Sequence, residues 1–426
     1  MTIHKAILPT GCGCDGHDMR RPLISIDEAL SRIAAHVAPV AGTEAVPLSG
    51  AAGRILAQPV RSHAMVPAFD NAAMDGYAVM QSALTGGGPW ALQVVARVPA
   101  GQAATGNITG GSAARIFTGA PIPDGADAVV MQEEVTRDAD VIHLQRRPVP
   151  GMNIRRAGSD MAAGATVLNH GARLGPREIA ACAAAGASTV HVRQRLRVAL
   201  LVTGDEVRSV GGARGAAQIW DVNTPMLSAA LSAAHLDPVA ITHGADSRAA
   251  LARQLGDLAG QADLVITTGG ISVGEEDHVK PALADLGSST VFSGVAIKPG
   301  KPVSFGRIGS AFWLGLPGNP LSAFVTWQVF GAALIRGLTG ETGHDASRRH
   351  VVTGAAIHRK PGRCELRPAT LAGFDAQGRE TVDFDDATHS GRVGLLPQAD
   401  GLIFLPSEAD HLPAGALVEF QPFCQI

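Results

Sequence analysis

Three apolar runs in the second half of the chain each stop at a small, glycine-bearing polar loop, and this pattern constrains the fold most. Leu196–Val202 ends in Thr203-Gly204-Asp205-Glu206, Asp263–Thr267 ends in Thr268-Gly269-Gly270, and Ala311–Leu316 ends in Pro317-Gly318-Asn319-Pro320. Between them, Thr224-Pro225 opens a helical pattern through Leu227, Ala230, Leu231 and Ala234. Val239–Thr242 reads as a further strand, and another helix starts near Asp246-Ser247. Strands that are apolar without alternation are buried on both faces, as in a parallel sheet covered by helices. The alternation predicts a doubly wound α/β sheet. A long apolar helix follows, with Asn319 as N-cap and Pro320 in its first turn.

At 426 residues the chain is too long for one ordinary domain. Ser25-Ile26-Asp27-Glu28 is a capping-box pattern before a helix that Pro39 closes. From about residue 42 to 162 short β-like runs alternate with Gly and Pro, which predicts a small β-rich domain. A helix follows Pro176. After residue 345, Val351–Ile357, Leu402–Leu405 and Ala416–Phe420 predict a small β-barrel or sandwich. Charged residues are 17% of the chain and its net charge is −3, which argues against disorder and against bulk nucleic-acid binding. Five scattered cysteines give no disulfide framework, and no run of 18 apolar residues or signal-like start is present. A cytoplasmic protein is the expectation. Cys12, Cys14 and His17 could hold a soft metal, but C-x-C lacks structural-zinc spacing and a terminal tail explains it better.

Ligands of open α/β sheets sit beyond the carboxyl ends of the strands, where the loops above gather. Thr267–Gly274 offers backbone amides and hydroxyls suited to a phosphate, although an ordinary Gly-rich turn would look similar. It matches neither a Walker A loop nor G-x-G-x-x-G. Lys298 and Lys301, two of only five lysines, are stiffened by Pro299 and Pro302 and could meet an oxyanion. Asp205, Glu206, Asp221 and Asp277 lie at the same edge. Carboxylates beside a phosphate suit Mg2+, and capping or surface roles remain open for each. In the β-rich region, Pro67–Val79 packs Asp70, Asn71, Asp75 and the only tyrosine, Tyr77, into eight residues. Arg115–Pro123 and Asn153–Asp160 are similarly punctuated, and turn chemistry explains these segments equally well.

Asp70–Val79, Thr118-Gly119-Ala120-Pro121, Thr268–Gly274, Lys298-Pro299-Gly300-Lys301-Pro302 and Leu316-Pro317-Gly318-Asn319-Pro320 occur in order. Together they resemble the MoeA family of molybdopterin molybdenumtransferases, related to the gephyrin E domain. The resemblance implies an elongated homodimer with four domains per chain. These are a small helical linking domain (20–61 and 162–193), an inserted β-rich domain (62–161), an α/β molybdopterin-binding domain (194–344) and a C-terminal β-barrel (345–426). It also implies that the helical N-terminal segment pairs with residues around 163–193, and that the active cleft is shared between subunits.

The implied reaction is Mg2+-dependent insertion of molybdate into adenylylated molybdopterin with release of AMP. By the same resemblance Asp75, Asp160, Glu206, Asp246, Asp277, Lys298 and Lys301 are catalytic, and Asp205, Glu206 and Asp277 hold the metal. Ligand contacts fall to Thr203, Gly204, Asp221, Asn223, Thr268, Gly269, Gly270, Ser272, Gly274, Pro317, Gly318, Asn319 and Ser322. Asp70, Asn71, Tyr77 and Thr118 join them from the β-rich domain. Implied partners are molybdopterin adenylyltransferase and cofactor-receiving enzymes. Gly294 departs from the pattern, because the family often has a basic residue there. An adenylyltransferase would need only the α/β domain, a scaffold would not need the acidic and lysine positions, and the missing G-x-G-x-x-G disfavours a nucleotide-dependent oxidoreductase.

Overall fold

A computed structural model describes residues 23–40, 42–103, 106–245, 247–271, 277–343, 348–385 and 389–423. Its centre is a six-stranded sheet. From edge to edge the strands are Leu236–His243, Leu196–Val202, Leu264–Thr268, Ala311–Leu316, Ser304–Ile308 and Ser289–Ser293. The first four are parallel neighbours, and the last two turn back antiparallel. Helices cover both faces. Arg248–Gln261 and Val279–Asp285 pack on one side through Leu251, Leu255, Leu258, Val279 and Leu283. The other side takes Asn223–Ala230 and the continuous helix Pro320–Thr339. That helix is long and apolar enough to cross a membrane, but 78% of its apolar window is buried in this chain's own core.

The N-terminal helix Ile26–His36 starts at Ser25, whose Oγ accepts from Glu28 N at 3.1 Å as an N-cap, while the Glu28 carboxylate accepts from Arg32 Nε at 2.7 Å. Its apolar stripe Ile26, Ala29 and Ile33 joins the α/β core rather than residues 163–193, so that expected pairing is corrected for the helix. The reason is sequence spacing: the stripe fits the long helix, and Val40 N reaches Leu338 O at 2.8 Å. Downstream of it, Thr43–Pro47 pairs antiparallel with Thr189–Arg193, and Val60–Arg61 pairs with Thr166–Leu168. These ladders enclose Leu56, Val60, Leu174, Cys182, Val190 and Val192, with the helix Pro176–Ala184 alongside.

The excursion between them forms a second six-stranded sheet. Its order is Ala128–Met131, Gly76–Val79, Ser112–Ile116, Trp90–Val98, Val141–Leu144 and Val135–Asp138, with a separate apolar cluster on each face. At the other end of the chain, Arg349–Thr353, Cys364–Phe374, Glu380–Phe384, Gly401–Leu405 and Leu417–Pro422 close into a five-stranded barrel. Closure comes from Cys364–Phe374, which pairs with both Glu380–Phe384 and Gly401–Leu405.

One seam between the linking segments and the α/β domain carries buried charge. Arg173 holds Glu341 through two hydrogen bonds of 2.9 and 2.8 Å. Beside them His235, 3% exposed, faces Gly53 O at 3.2 Å through Nδ1, while its Nε2 has no partner. Burial, helped by Arg173, pushes the imidazole down to about 4. The unfolded chain therefore binds a proton here that the folded chain refuses, and stability falls as pH drops from about 6.5 toward 4. Urea unfolding across that window should show a loss of roughly 2–4 kcal/mol. His235→Gln should remove this component relative to the native chain, and parallel curves would contradict it.

Candidate functional site

The cleft follows from register. Val202, Thr268 and Leu316 are neighbours across the parallel ladder, so the three loops leave the sheet side by side. The chain crosses from one side of Leu196–Val202 to the other between its second and third strands, so the loops meet at the switch point of the sheet. Thr203 N donates to Thr268 O at 3.0 Å, and Gly269 N to Leu316 O at 3.1 Å. Thr268 Oγ1 donates to Pro317 O at 2.9 Å. Asn223 Nδ2 then donates to both Thr268 Oγ1 (2.9 Å) and Gly318 O (2.7 Å). One buried amide thus ties together two strand-end loops and a helix start.

Glycine is required at this junction. Gly269 has φ +89°, and a Cβ there would lie 2.7 Å from Thr203 Oγ1 and 2.8 Å from Thr203 O. Above the tied loops opens a cleft of about 500 Å³. Of the residues expected from sequence, it is lined by Thr203, Gly204, Asp205, Glu206, Asp221, Asn223, Gly269, Gly270, Asp277, Pro317, Gly318 and Asn319.

Other expected residues lie elsewhere. Thr268 is fully buried and acts as a tie. Ser322 is 4% exposed inside the long helix, where its carbonyl accepts from Thr326 Oγ1 at 2.7 Å, and it is not among the residues that line the cleft. Asn319 is the N-cap residue without a side-chain cap bond, and Leu321 N instead donates to Ser390 O of the barrel segment at 3.0 Å. Asp246, Ser272 and Gly274 lie outside the described residues.

Asp221, 4% exposed, caps the following helix by accepting from Thr224 N at 2.9 Å, and His243 Nε2 is 3.7 Å from its other oxygen. Asp205 and Glu206 are exposed. Among the described residues no group of three His, Cys, Asp or Glu could hold a metal ion, so Asp205, Glu206 and Asp277 do not form a cage by themselves. Their oxygens fit the other Mg2+ pattern, one or two carboxylates completed by water and ligand phosphate.

Lys298 and Lys301 do not line this cleft, although Pro302 does. Ile297–Lys298 is a short strand laid parallel on the barrel, with Lys298 opposite Glu365. Lys298 Nζ is 3.5 Å from Glu365 Oε2, and its side chain is 46% exposed. Gly294, the departure from the family pattern, sits at φ +96°, where a Cβ would be 2.8 Å from Leu23 Cδ2. Backbone conformation alone disfavours a basic side chain there.

In the β-rich domain, Asp75 Oδ1 accepts from both Thr118 N and Thr118 Oγ1 at 2.8 Å. These bonds, the backbone one foremost, hold its carboxyl below the usual range. Asp70 is held the same way by Ala157 N at 2.8 Å and by Arg156 at 2.5 Å. Asp160 is exposed, and Asn71 is 6% exposed with Nδ2 on Phe69 O. Tyr77 is 4% exposed and packs with Val79, Leu92 and Val130. Its side chain belongs to the apolar cluster on one face of that sheet.

Two residues escaped the sequence reading. Trp220, 40% exposed, lines the cleft beside Ile219. Glu365 is 1% exposed and accepts from Arg367 Nε at 2.9 Å, with Arg359 Nε at 3.4 Å. The signal for the second was a glutamate two residues from an arginine on the inward phase of a strand.

Fold and cleft together define an α/β domain with a small-molecule site at the switch point of its sheet, carried among domains that add charged groups. Sequence models agree in order along the chain. The MoeA N-terminal region (domain I and II) matches residues 24–186, a probable molybdopterin binding domain matches 199–337, and the MoeA C-terminal region (domain IV) matches 350–423. The molybdopterin molybdenumtransferase of Haemophilus influenzae is 35% identical over 408 residues, covering 94% of this chain and 99% of that protein. Molybdopterin molybdenumtransferase 2 of Mycobacterium tuberculosis is 35% identical over 382 residues, covering 88% and 93%. The crystal structure of the molybdopterin biosynthesis MoeA protein from Pyrococcus horikoshii OT3 matches with a TM-score of 0.80 at 26% identity, over 94% of this chain and 100% of that one. The chain belongs to the MoeA family of molybdopterin molybdenumtransferases, transferases of molybdenum cofactor biosynthesis.

Gly269→Ala tests the junction. Strain at positive φ and the contact with Thr203 should lower stability by about 1–3 kcal/mol in urea unfolding. An unchanged midpoint would mean that the loops are not locked as described.

Proposed function

We propose that this chain inserts molybdate into adenylylated molybdopterin and releases AMP, with Mg2+ at the strand-end cleft. The observation that carries this reading is the level exit of three glycine-bearing loops into one cleft lined by carboxylates. The loop after Thr268 would receive the phosphate, since free amides at strand ends favour an anion. Asp205, Glu206 and Asp277 would hold Mg2+ with its waters, and the ion when bound draws charge from phosphate oxygens. Lys298 and Lys301 would neutralise an incoming oxyanion as point charges.

Asp75 and Asp160 would reach the cleft from the β-rich domain of a second subunit. That domain has its own cores and ties back to the linking segments, where Ser62 N meets Ala165 O and His63 N meets Ala185 O at 2.9 Å. The two bonds from Thr118 keep Asp75 ionised, ready to orient water or substrate. A homodimer, exchange with molybdopterin adenylyltransferase and with cofactor-receiving enzymes, and work in the cytoplasm complete the proposal.

Purified protein given adenylylated molybdopterin, molybdate and Mg2+ should release AMP and form the molybdenum cofactor. No AMP under those conditions would sink the reading. Asp75→Asn keeps both acceptor bonds from Thr118 possible and Lys298→Ala leaves Glu365 its two arginines. Each should lower kcat/KM at least about tenfold, the size of one lost charged contact. Melting temperatures should stay near the native value, and an unfolded variant would mark the residue as structural.

A further inference from the structure

The barrel strand Cys364–Phe374 begins by extending along the lysine segment of the α/β domain. Cys364 N donates to Ala296 O at 2.9 Å, Ile297 and Lys298 lie opposite Cys364 and Glu365, and Arg363 Nη1 reaches Ile297 O at 3.4 Å. Glu365 sits at the centre of this contact, 1% exposed, and three of the cations around its two oxygens matter here. Arg367 Nε is 2.9 Å from Oε1, while Arg359 Nε and Lys298 Nζ are 3.4 and 3.5 Å from Oε2.

The three cations are not equivalent. Arg367 and Arg359 are both nearly buried and are anchored beyond the carboxylate. Arg367 donates to Asp385 O at 3.1 Å; Arg359 donates to the carbonyls of Pro406 and Arg363, and to Ala409 O at 2.8 Å. Lys298 is the half-exposed member, with its ammonium 3.5 Å from Glu365 Oε2. Two fixed arginines therefore hold the carboxylate in place, and the carboxylate in turn aims a lysine that faces solvent. A buried carboxylate with two fixed cations has no need of a third for its own neutrality.

We propose that Glu365 is a positioning residue for Lys298: the barrel reaches across the domain boundary and sets where the lysine ammonium meets its oxyanion. This rests on the reading that Lys298 meets an oxyanion, either molybdate or the phosphate of the adenylate. Such an arrangement affects binding of that anion more than later steps, because it pre-organises a charge that touches the substrate.

The test is a double-mutant cycle on the full-length protein, with KM for molybdate and KM for adenylylated molybdopterin measured separately. Whichever KM Lys298→Ala raises identifies the anion. Glu365→Gln should raise that same KM about three- to tenfold with kcat within about twofold, and should have no further effect in the Lys298→Ala background. Gln still accepts from Arg367, and Glu365→Asp, which keeps the charge but withdraws it from Lys298, should give the same direction if the Gln variant melts below assay temperature. Unchanged KM in whichever of these variants folds, or effects that multiply in the double variant, would overturn the positioning role. Should both unfold, Glu365 is a folding residue and the proposal is overturned as well. If Lys298→Ala itself moves neither KM, the oxyanion reading fails first, and the two failures are told apart.

Discussion

The amide of Asn223 is the contact on which the site depends. Its nitrogen donates to both the Thr268 hydroxyl and the Gly318 carbonyl, and the hydroxyl in turn donates a hydrogen bond to Pro317 O. Parallel strands leave their ends at one level but do not by themselves hold the following loops together. This bridge does, and the absent side chain of Gly269 lets Thr203 close the third side. Buried polar groups carry such specificity only when satisfied, and Thr268, fully buried, is satisfied in both directions.

Around that fixed floor the charges are divided among domains. The cleft itself is rich in carboxylates, while the lysine segment lies on the barrel and is held by Glu365 and Arg363. Asp75 and Asp70 lie in the β-rich domain, each already ionised through backbone and side-chain donors. Across the boundary between the α/β domain and the barrel, Lys298 and Glu365 meet at 3.5 Å, so the lysine segment is already partnered there.

Much of this was legible in sequence because the central strands are uninterrupted apolar runs that end at glycine. Leu196–Val202, Ala311–Leu316 and the helix at Pro320 read directly, and so did the helix start at Ser25. The strands Ser289–Ser293 and Ser304–Ile308 did not, because serine and glycine dilute them and the outer one is apolar on one face only. A two-residue hairpin at Gly309-Ser310, with Gly309 at φ +57°, was the missed signal. Tyr77 stood out through rarity, and in the strand Gly76–Val79 it packs with Val79, Leu92 and Val130. Ser322 stands next to Pro317–Pro320 in sequence, and inside the helix it is buried. The partnership of Lys298 with Glu365 spans 67 residues and two domains, which no local pattern encodes.

The most direct measurement is a crystal structure of the protein soaked with AMP and molybdate. The phosphate of AMP should lie against the loop that follows Thr268, inside the cleft bounded by Gly269, Gly318 and Asp205. AMP bound away from the strand ends, with this cleft holding only water, would contradict the account at its centre.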